Sequence, residues 1–404
     1  MSKKLEFNSK PLEKLCAIFK KNNIDIRIVG GAVRDKILGI NSSDIDLATP
    51  ASPEEVIKIF RAENIKAIPT GIEFGTVTLV MNGINFEVTT LREDIETNGR
   101  HAVVKYTKDY KIDASRRDFT INSLSYDPAE EKVYDYFGGI EDLEKGIVKF
   151  IGSPEERIKE DYLRILRFFR FSAFYSSKLD IEGLDACRKN IAGLGIISKE
   201  RIQSELSKIF CARKNISFCI KALNDIKIFK IIAPKYNINF SYLLNFEEKI
   251  DSFKNIEFNL KELRLALLLS SLGKKSAIDF MKDLKFSNQA ILANDIICDF
   301  ILRVLVATEK SDIIFEICKS WYYSPLYIKT FLIISYLLGK ISMDEMKGNI
   351  KLMKNAPAKM PIKSEELMEL GYEGLALGIR IKFLEKQWIK SGFSVQKEVL
   401  ISMK

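Results

Sequence analysis

The segment Ile28-Val29-Gly30-Gly31-Ala32-Val33-Arg34-Asp35, with Asp44-Ile45-Asp46 nine residues further on, carries the densest chemistry in this chain. Its first part reads as a short apolar strand, a diglycine turn and a helix start, a geometry in which backbone N–H groups approach a phosphate closely. Arg34 adds a charged fork. In the second part Ile45 separates two aspartates, and on a strand the period of two places Asp44 and Asp46 on one face. Paired carboxylates beside a phosphate cradle suit Mg²⁺. Alone, Gly-Gly-x-x-Arg-Asp is also what a tight turn with a helical Arg–Asp surface pair would show. The spaced Asp-x-Asp gives it chemical content.

The remaining composition narrows the classes. At 404 residues the chain has room for two to four domains. It is 47% hydrophobic and 29% charged, and its richest apolar runs, 265–269 and 331–338, have the length of buried helices. Six scattered cysteines without a Cys-x-x-Cys pair point to reduced, mostly buried thiols. The start, Met1-Ser2-Lys3-Lys4-Leu5-Glu6, lacks the apolar core of a signal peptide, so cytoplasmic residence is expected. The single histidine, His101, excludes a histidine-built metal cluster. Sixty-three Lys and Arg against 54 Asp and Glu give +9, compatible with a polyanionic partner and with many soluble proteins.

Along the chain, Leu12, Leu15, Ile18 and Phe19 have helical spacing, and Ile24, Ile26 and Ile28 alternate into the glycine turn. Ser52-Pro53-Glu54-Glu55 predicts a helix with a capping box, running to about Phe60. Asn82-Gly83 between 75–81 and 84–91 predicts a hairpin. On its returning strand Glu87 faces away from Phe86 and Val88, where it is either a third carboxylate for Asp44 and Asp46 or part of a surface salt bridge. Residues 92–115 are polar without a clear period and read as a long loop. Arg116-Arg117-Asp118-Phe119-Thr120-Ile121-Asn122 follows, then a turn at Asp135-Tyr136-Phe137-Gly138-Gly139.

Ser153-Pro154-Glu155-Glu156 predicts the cap of a long helix that continues through Glu160-Asp161-Tyr162-Leu163-Arg164. On it Asp161, Arg164, Arg167 and Arg170, each three apart, form one inclined row, a pattern that an ordinary solvated face also shows. From about Ile196 onward only helices and turns are expected. Near the end, Gly371, Gly374 and Gly378 beside Lys382, Lys386 and Lys390 fit a backbone-phosphate clamp or a helix hairpin with a basic outer face.

Together Gly30-Gly31-x-x-Arg34-Asp35, Asp44-x-Asp46, Arg116-Arg117-Asp118-x-x-x-Asn122, Asp135-x-x-Gly138, Glu160-Asp161-x-x-Arg164 and Glu200-Arg201 resemble, in order and spacing, the class II tRNA nucleotidyltransferases. The resemblance covers about residues 24–210. It implies an α+β fold: a polymerase-beta-like nucleotidyltransferase head with a mixed sheet over 1–143, then an all-helical neck (144–210), body (211–325) and tRNA-binding tail (326–404). It further implies that Asp44 and Asp46 hold Mg²⁺; Glu87, from its strand face, is a further catalytic candidate. Gly30, Gly31, Arg34, Arg117 and Asp118 are implied at the nucleotide, Asp161 and Arg164 at the base, and Arg167 and Arg170 in the same pocket. Residues 92–115 take the place of the family's flexible loop, associated with the switch from C to A. The implied activity is addition of CCA to tRNA from CTP and ATP. Kindred alternatives are a poly(A) polymerase or a CC- or A-adding enzyme, and an alternative of another class is a non-catalytic RNA-binding descendant. Lys382, Lys386 and Lys390 are the candidate RNA contacts in the tail.

Overall fold

The computed structural model describes residues 5–7, 9–41, 44–98, 101–353 and 359–403. It forms two compact units, 1–197 and 198–404, and the division falls inside the expected neck.

In the first unit, Ser9 accepts from the Leu12 amide and starts α1 (Lys10–Lys21), whose Leu12, Leu15, Ile18 and Phe19 are buried at the expected helical spacing. A short β1 (Arg27–Val29) leads into α2 (Gly31–Ile37), and β2 (Asp46–Thr49) follows. The anticipated capping box is present: Ser52 and Glu55 exchange hydrogen bonds at the start of α3 (Pro53–Ala62). Next come β3 (Lys66–Gly71), β4 (Thr76–Met81) and β5 (Ile84–Thr90). The β4–β5 turn places Asn82 at φ 51° and Gly83 at φ 78°, the pair of positive φ values that a two-residue hairpin needs.

Residues 92–115 are not a loop. They form β6 (Arg92–Asn98) and β7 (His101–Tyr106), paired antiparallel, and then α4 (Tyr110–Ser115). A register shift between Asp94 and Glu96 breaks the two-residue alternation, which hid the strand. Gly99 and Arg100, between the two strands in sequence, lie outside the described residues. Completing the sheet are β8 (Ser125–Asp127) and β9 (Lys132–Tyr134), followed by α5 (Gly139–Glu144). The carboxylate of Asp135 gathers the amides of Phe137, Gly139 and Ile140 at the expected turn.

The main sheet runs β3-β4-β5-β2-β1-β8-β9. All neighbours are antiparallel except β2 and β5, which are parallel with Asp46 opposite Glu87, so the sheet is mixed as expected. Arg27 at the start of β1 is clasped between the rings of Tyr110 (3.9 Å) and Tyr134 (3.7 Å) and donates to the Tyr136 hydroxyl. That stack fastens α4 to the sheet.

The long helix expected from Ser153 is two helices, α6 (Pro154–Glu160) and α7 (Arg164–Tyr175). Asp161 is extended at φ −152° and its carboxylate accepts from the Leu163 amide. A local side-chain acceptor of this kind competes with helix continuation. Asp161 therefore stands in the break, and only Arg164, Arg167 and Arg170 share the helix. Phe119 packs on Phe150 (4.8 Å) and Phe171 (5.3 Å), and Phe150 on Phe168 (5.5 Å), seating α7 against the sheet layer. The unit closes with α8 (Ile181–Asn190) and a 3₁₀ segment, Ile191–Ile196.

The second unit contains no strand among its described residues. Its helices begin with α9 (Lys199–Ile209), α10 (Ser217–Asp225), α11 (Ile228–Ile232), α12 (Ser241–Lys249) and α13 (Leu260–Leu269). They continue through α14 (Lys274–Asp283), α15 (Asn288–Val306), α16 (Lys310–Tyr323), α17 (Ile328–Leu337) and α18 (Met343–Leu352). The chain ends with α19 (Ser364–Glu369), α20 (Gly374–Lys390) and α21 (Lys397–Ser402), closed around Leu367, Leu384, Trp388 and Leu400. No described helix is long and apolar enough to cross a membrane.

Candidate active site

Because β2 and β5 run parallel and in register, Asp46 and Glu87 stand side by side at the mouth of an open cavity of about 330 Å³. Three arginines, Arg92, Arg116 and Arg117, line the same cavity, together with Asp113, Thr76 and Thr89. Asp46 is the first residue of β2, so Asp44 precedes the strand and the two do not share a strand face. They are electrostatic neighbours nonetheless. The carboxyl of Asp46 is raised above its ordinary value, first by burial in the concave wall and then by the charge of Asp44, with Arg117 opposing. The residue as a whole remains exposed.

The basic wall is held from behind. Asp113, buried on α4, accepts from Arg116 Nε (2.9 Å), Arg117 Nη2 (3.4 Å) and the Arg92 amide (3.3 Å). Burial raises its carboxyl, but Arg116 and Arg117 outweigh this and hold it below the ordinary range. Arg92 is drawn down by burial and by repulsion from Arg116. Three guanidiniums thus line the cavity together with the carboxylates of Asp46, Glu87 and Asp113, and Asp113 is shared between Arg116 and Arg117. Arg92, Arg116 and Asp113 were absent from the sequence-predicted site. Their signal was the i, i+3 and i, i+4 spacing of Asp113 to the two arginines, obscured while 92–115 read as a loop.

The diglycine turn adjoins this wall. Gly30 adopts φ 69°, and a Cβ there would fall 2.8 Å from Arg117 Nη1, so the guanidinium sits where any other residue would project. The Gly30 amide donates to Leu124 O and is spent within the sheet. Arg34 does not line the cavity. It is buried and donates to Asp35 Oδ1 (2.9 Å), Asn122 Oδ1 (2.5 Å) and the Tyr175 hydroxyl (2.6 Å). The Tyr175 hydroxyl in turn donates to Asp35, and burial pushes its pKa up to about 12.

Asn122 continues this network by donating to Asp118, which is fully enclosed and receives Arg167 Nε at 2.6 Å. Burial raises the Asp118 carboxyl, and Arg167 and Asn122 more than reverse that. Asp118 thus faces a partner on α7 and not the cavity. Arg157 donates to the carbonyls of Arg116 and Arg117. Arg164 Nη1 donates to Glu160 (2.5 Å) and to Arg157 O (2.8 Å), and its Nη2 reaches Arg116 O at 3.4 Å. Arg170 stacks on Phe171 at 4.3 Å. Arg164 and Arg167 are therefore laced to the segment 116–118 that carries Arg116 and Arg117.

Among the described residues no group of three or more His, Cys, Asp and Glu is arranged to hold a metal by itself. The Asp44–Asp46 pair fits a divalent cation that takes its remaining ligands from substrate phosphates, since such a cation would relieve the repulsion that Asp46 carries.

Acidic side chains on a mixed sheet, lining one cavity with three arginines beside a diglycine turn, define a nucleotidyltransferase head. Residues 26–149 match the Poly A polymerase head domain, and 178–238 match the family described as a probable RNA and SrmB-binding site of polymerase A. The chain is 32% identical to human CCA tRNA nucleotidyltransferase 1, mitochondrial, over 97% of its own length and 89% of the relative. It therefore belongs to the CCA tRNA nucleotidyltransferase family. Its fold resembles the Bacillus stearothermophilus CCA-adding enzyme in complex with CTP (TM-score 0.70, 23% identity, 97% and 96% of the two chains). It also resembles the Thermotoga maritima CCA-adding enzyme complexed with a tRNA (TM-score 0.68, 20% identity, 98% and 95%).

Proposed function

We propose that this chain adds CCA to tRNA 3′ ends, transferring nucleotides from CTP and ATP to the terminal hydroxyl and releasing pyrophosphate. The observation that carries the reading is the pairing of Asp46 with Glu87 at the mouth of a cavity walled by Arg92, Arg116 and Arg117. The attack of the 3′-hydroxyl on the α-phosphorus builds negative charge on the entering and leaving oxygens. Mg²⁺ held by Asp44 and Asp46 would neutralise charge on both. Arg117, fixed against Gly30, and Arg116 are placed to bind the departing phosphates. Glu87 is assigned to orient groups beside Asp46. Gly30, Gly31 and Arg34 shape the cradle, with Arg34 acting through its Asn122 and Tyr175 contacts. The solved relatives named above hold CTP and tRNA, which supports these as substrates.

Base choice is assigned to Asp161 and Arg164. Cytosine and adenine each present an amino donor next to a ring-nitrogen acceptor, which suits a carboxylate beside a guanidinium. Uracil and guanine reverse both and leave groups unpaired, at about 1–3 kcal/mol each. Arg164 Nη2, with its one long contact at 3.4 Å, has capacity for a base. Asp161→Ala is expected to lower CTP and ATP incorporation about 10- to 100-fold and to narrow their lead over UTP and GTP. Competition among the four nucleotides on transcripts ending before CCA, after C and after CC tests both this and CCA addition. Unchanged selectivity would remove the base assignment, and failure to add A after CC would favour a CC-adding enzyme.

We assign residues 92–115, which include the β6–β7 hairpin, to the switch from C to A. In the tail, Lys382, Lys386 and Lys390 are exposed on one face of α20, and we assign them to tRNA phosphates. Charge reversal at any one should weaken tRNA binding several-fold at low salt and flatten its salt dependence, measured by filter binding. Unchanged affinity in all three variants would place the RNA surface elsewhere. Cytoplasmic residence belongs to the same proposal, and imaging of a tagged chain tests it.

A further inference from the structure

Tyr162 sits between Asp161 and Arg164 in the break that joins α6 to α7, and its ring lies on the bare backbone of Gly193. A Cβ on Gly193 would fall 2.0 Å from Cδ1 of that ring, 2.3 Å from Cε1 and 2.3 Å from Cγ. Among the described residues no glycine meets a neighbour more closely. Gly193 is not one of the glycines at positive φ, so its backbone does not call for glycine and only the ring does. Two residues on, Gly195 has open space at the same place.

We propose that Gly193 and Tyr162 form a positioning contact for base selection: the ring seated on glycine sets where Asp161 and Arg164 stand, and through them which nucleotides are accepted. This rests on the base assignment given above. Cγ is one bond from the Tyr162 Cβ, so turning the ring about χ2 cannot clear a methyl group at Gly193. The side chain must leave its χ1 well, or the backbone at 162 must move. That backbone is tied on both sides. Asp161 O accepts from the Arg164 amide (2.9 Å), Tyr162 O from the Ile165 amide (3.1 Å), and the Asp161 carboxylate from the Leu163 amide (3.1 Å). A shift of the backbone at 162 is therefore passed to both base-facing residues. The glycine side yields little, because Leu194 is fully buried and Leu194 O accepts from the Ile197 amide. A contact serving packing alone would alter stability without touching nucleotide choice.

The test measures single-nucleotide incorporation of CTP, ATP, UTP and GTP on CCA-lacking tRNA transcripts, together with melting temperature. The variants are Gly193→Ala, Gly195→Ala, Tyr162→Ala, the Gly193→Ala/Tyr162→Ala double and Asp161→Ala. For Gly193→Ala, kcat/KM with CTP and ATP should fall roughly 10- to 100-fold, as a displacement near 1 Å does, and fall less with UTP and GTP. Gly195→Ala should match the parent. The double variant should be no worse than Tyr162→Ala alone, since truncation at Cβ removes the Cγ, Cδ1 and Cε1 atoms that the methyl group would meet. Full selectivity in Gly193→Ala, equal loss with all four nucleotides alongside a lower melting temperature, or additive losses in the double variant would each overturn the proposal. If Asp161→Ala keeps selectivity, the base assignment itself fails. If Asp161→Ala loses selectivity and Gly193→Ala keeps it, the positioning contact alone fails.

Discussion

Asp46→Asn and Asp44→Asn are each expected to abolish incorporation of both CTP and ATP, by about 10³-fold or more, while tRNA binding stays near the parent level. Charge stabilisation by a cation at this pair is worth several kcal/mol at the transferring phosphoryl group, and each 1.36 kcal/mol is tenfold. Asparagine preserves shape and a carbonyl oxygen but removes the charge that attracts the ion. Asp46 also gives the substitution a stability signature. Its folded-state pKa is raised by burial and by Asp44, so its ionised form costs stability. That cost is absent below the ordinary value of 3.8 and complete above the raised one. Asp46→Asn should accordingly melt no lower than the parent at neutral pH, and any gain should vanish as the pH falls below 4. Near-normal turnover in Mg²⁺ by either variant would refute the assignment of the pair. A melting temperature that collapses at neutral pH would show that the carboxylate has a structural role instead.

How legible such a site is depends on the range of the interactions that build it. The Ser52–Glu55 capping box and the Asn82-Gly83 hairpin stood out because each is closed within four residues. Asn98-Gly99 is the same dipeptide. It passed unnoticed because the bulge at Asp94–Glu96 scrambles the alternation that would have marked the flanking strands. The break at Asp161 carries neither proline nor glycine and is made by one side-chain hydrogen bond to the Leu163 amide, a competition that helix spacing does not register. The register of Asp46 on Glu87 depends on a parallel pairing across some forty residues, which spacing alone suggests but cannot align. Arg34 shows the remaining limit. Its motif announces a charged fork near the turn, but the fork points inward because Asn122 and Tyr175, 88 and 141 residues away, supply acceptors there. Gly193 was silent altogether, since its requirement is set by a ring 31 positions earlier.

Arg264→Met is expected to destabilise the second unit by about 3–5 kcal/mol, read from its urea transition, because it strands a buried carboxylate. Arg264 on α13 and Glu247 on α12 are both fully inaccessible and meet at 2.6 Å (Nε to Oε1) and 3.1 Å (Nη2 to Oε2). The pair does more than neutralise itself. Arg264 also donates to the carbonyls of Phe210, Ala212 and Lys214, and Glu247 accepts from the Ile216 amide. The turn between α9 and α10 is thereby held by side chains where it has no ladder of its own. An apolar replacement of both partners is often neutral for an isolated buried ion pair. Here the Arg264→Met/Glu247→Leu double variant should recover only part of the loss, since three carbonyls and one amide stay buried without their partners. Glu247→Gln should cost less than Arg264→Met, because the amide oxygen still accepts from Arg264. Full recovery in the double variant would mean that water or a rearranged turn satisfies residues 210–216. A loss below 1 kcal/mol for Arg264→Met would mean that the pair does not organise this unit.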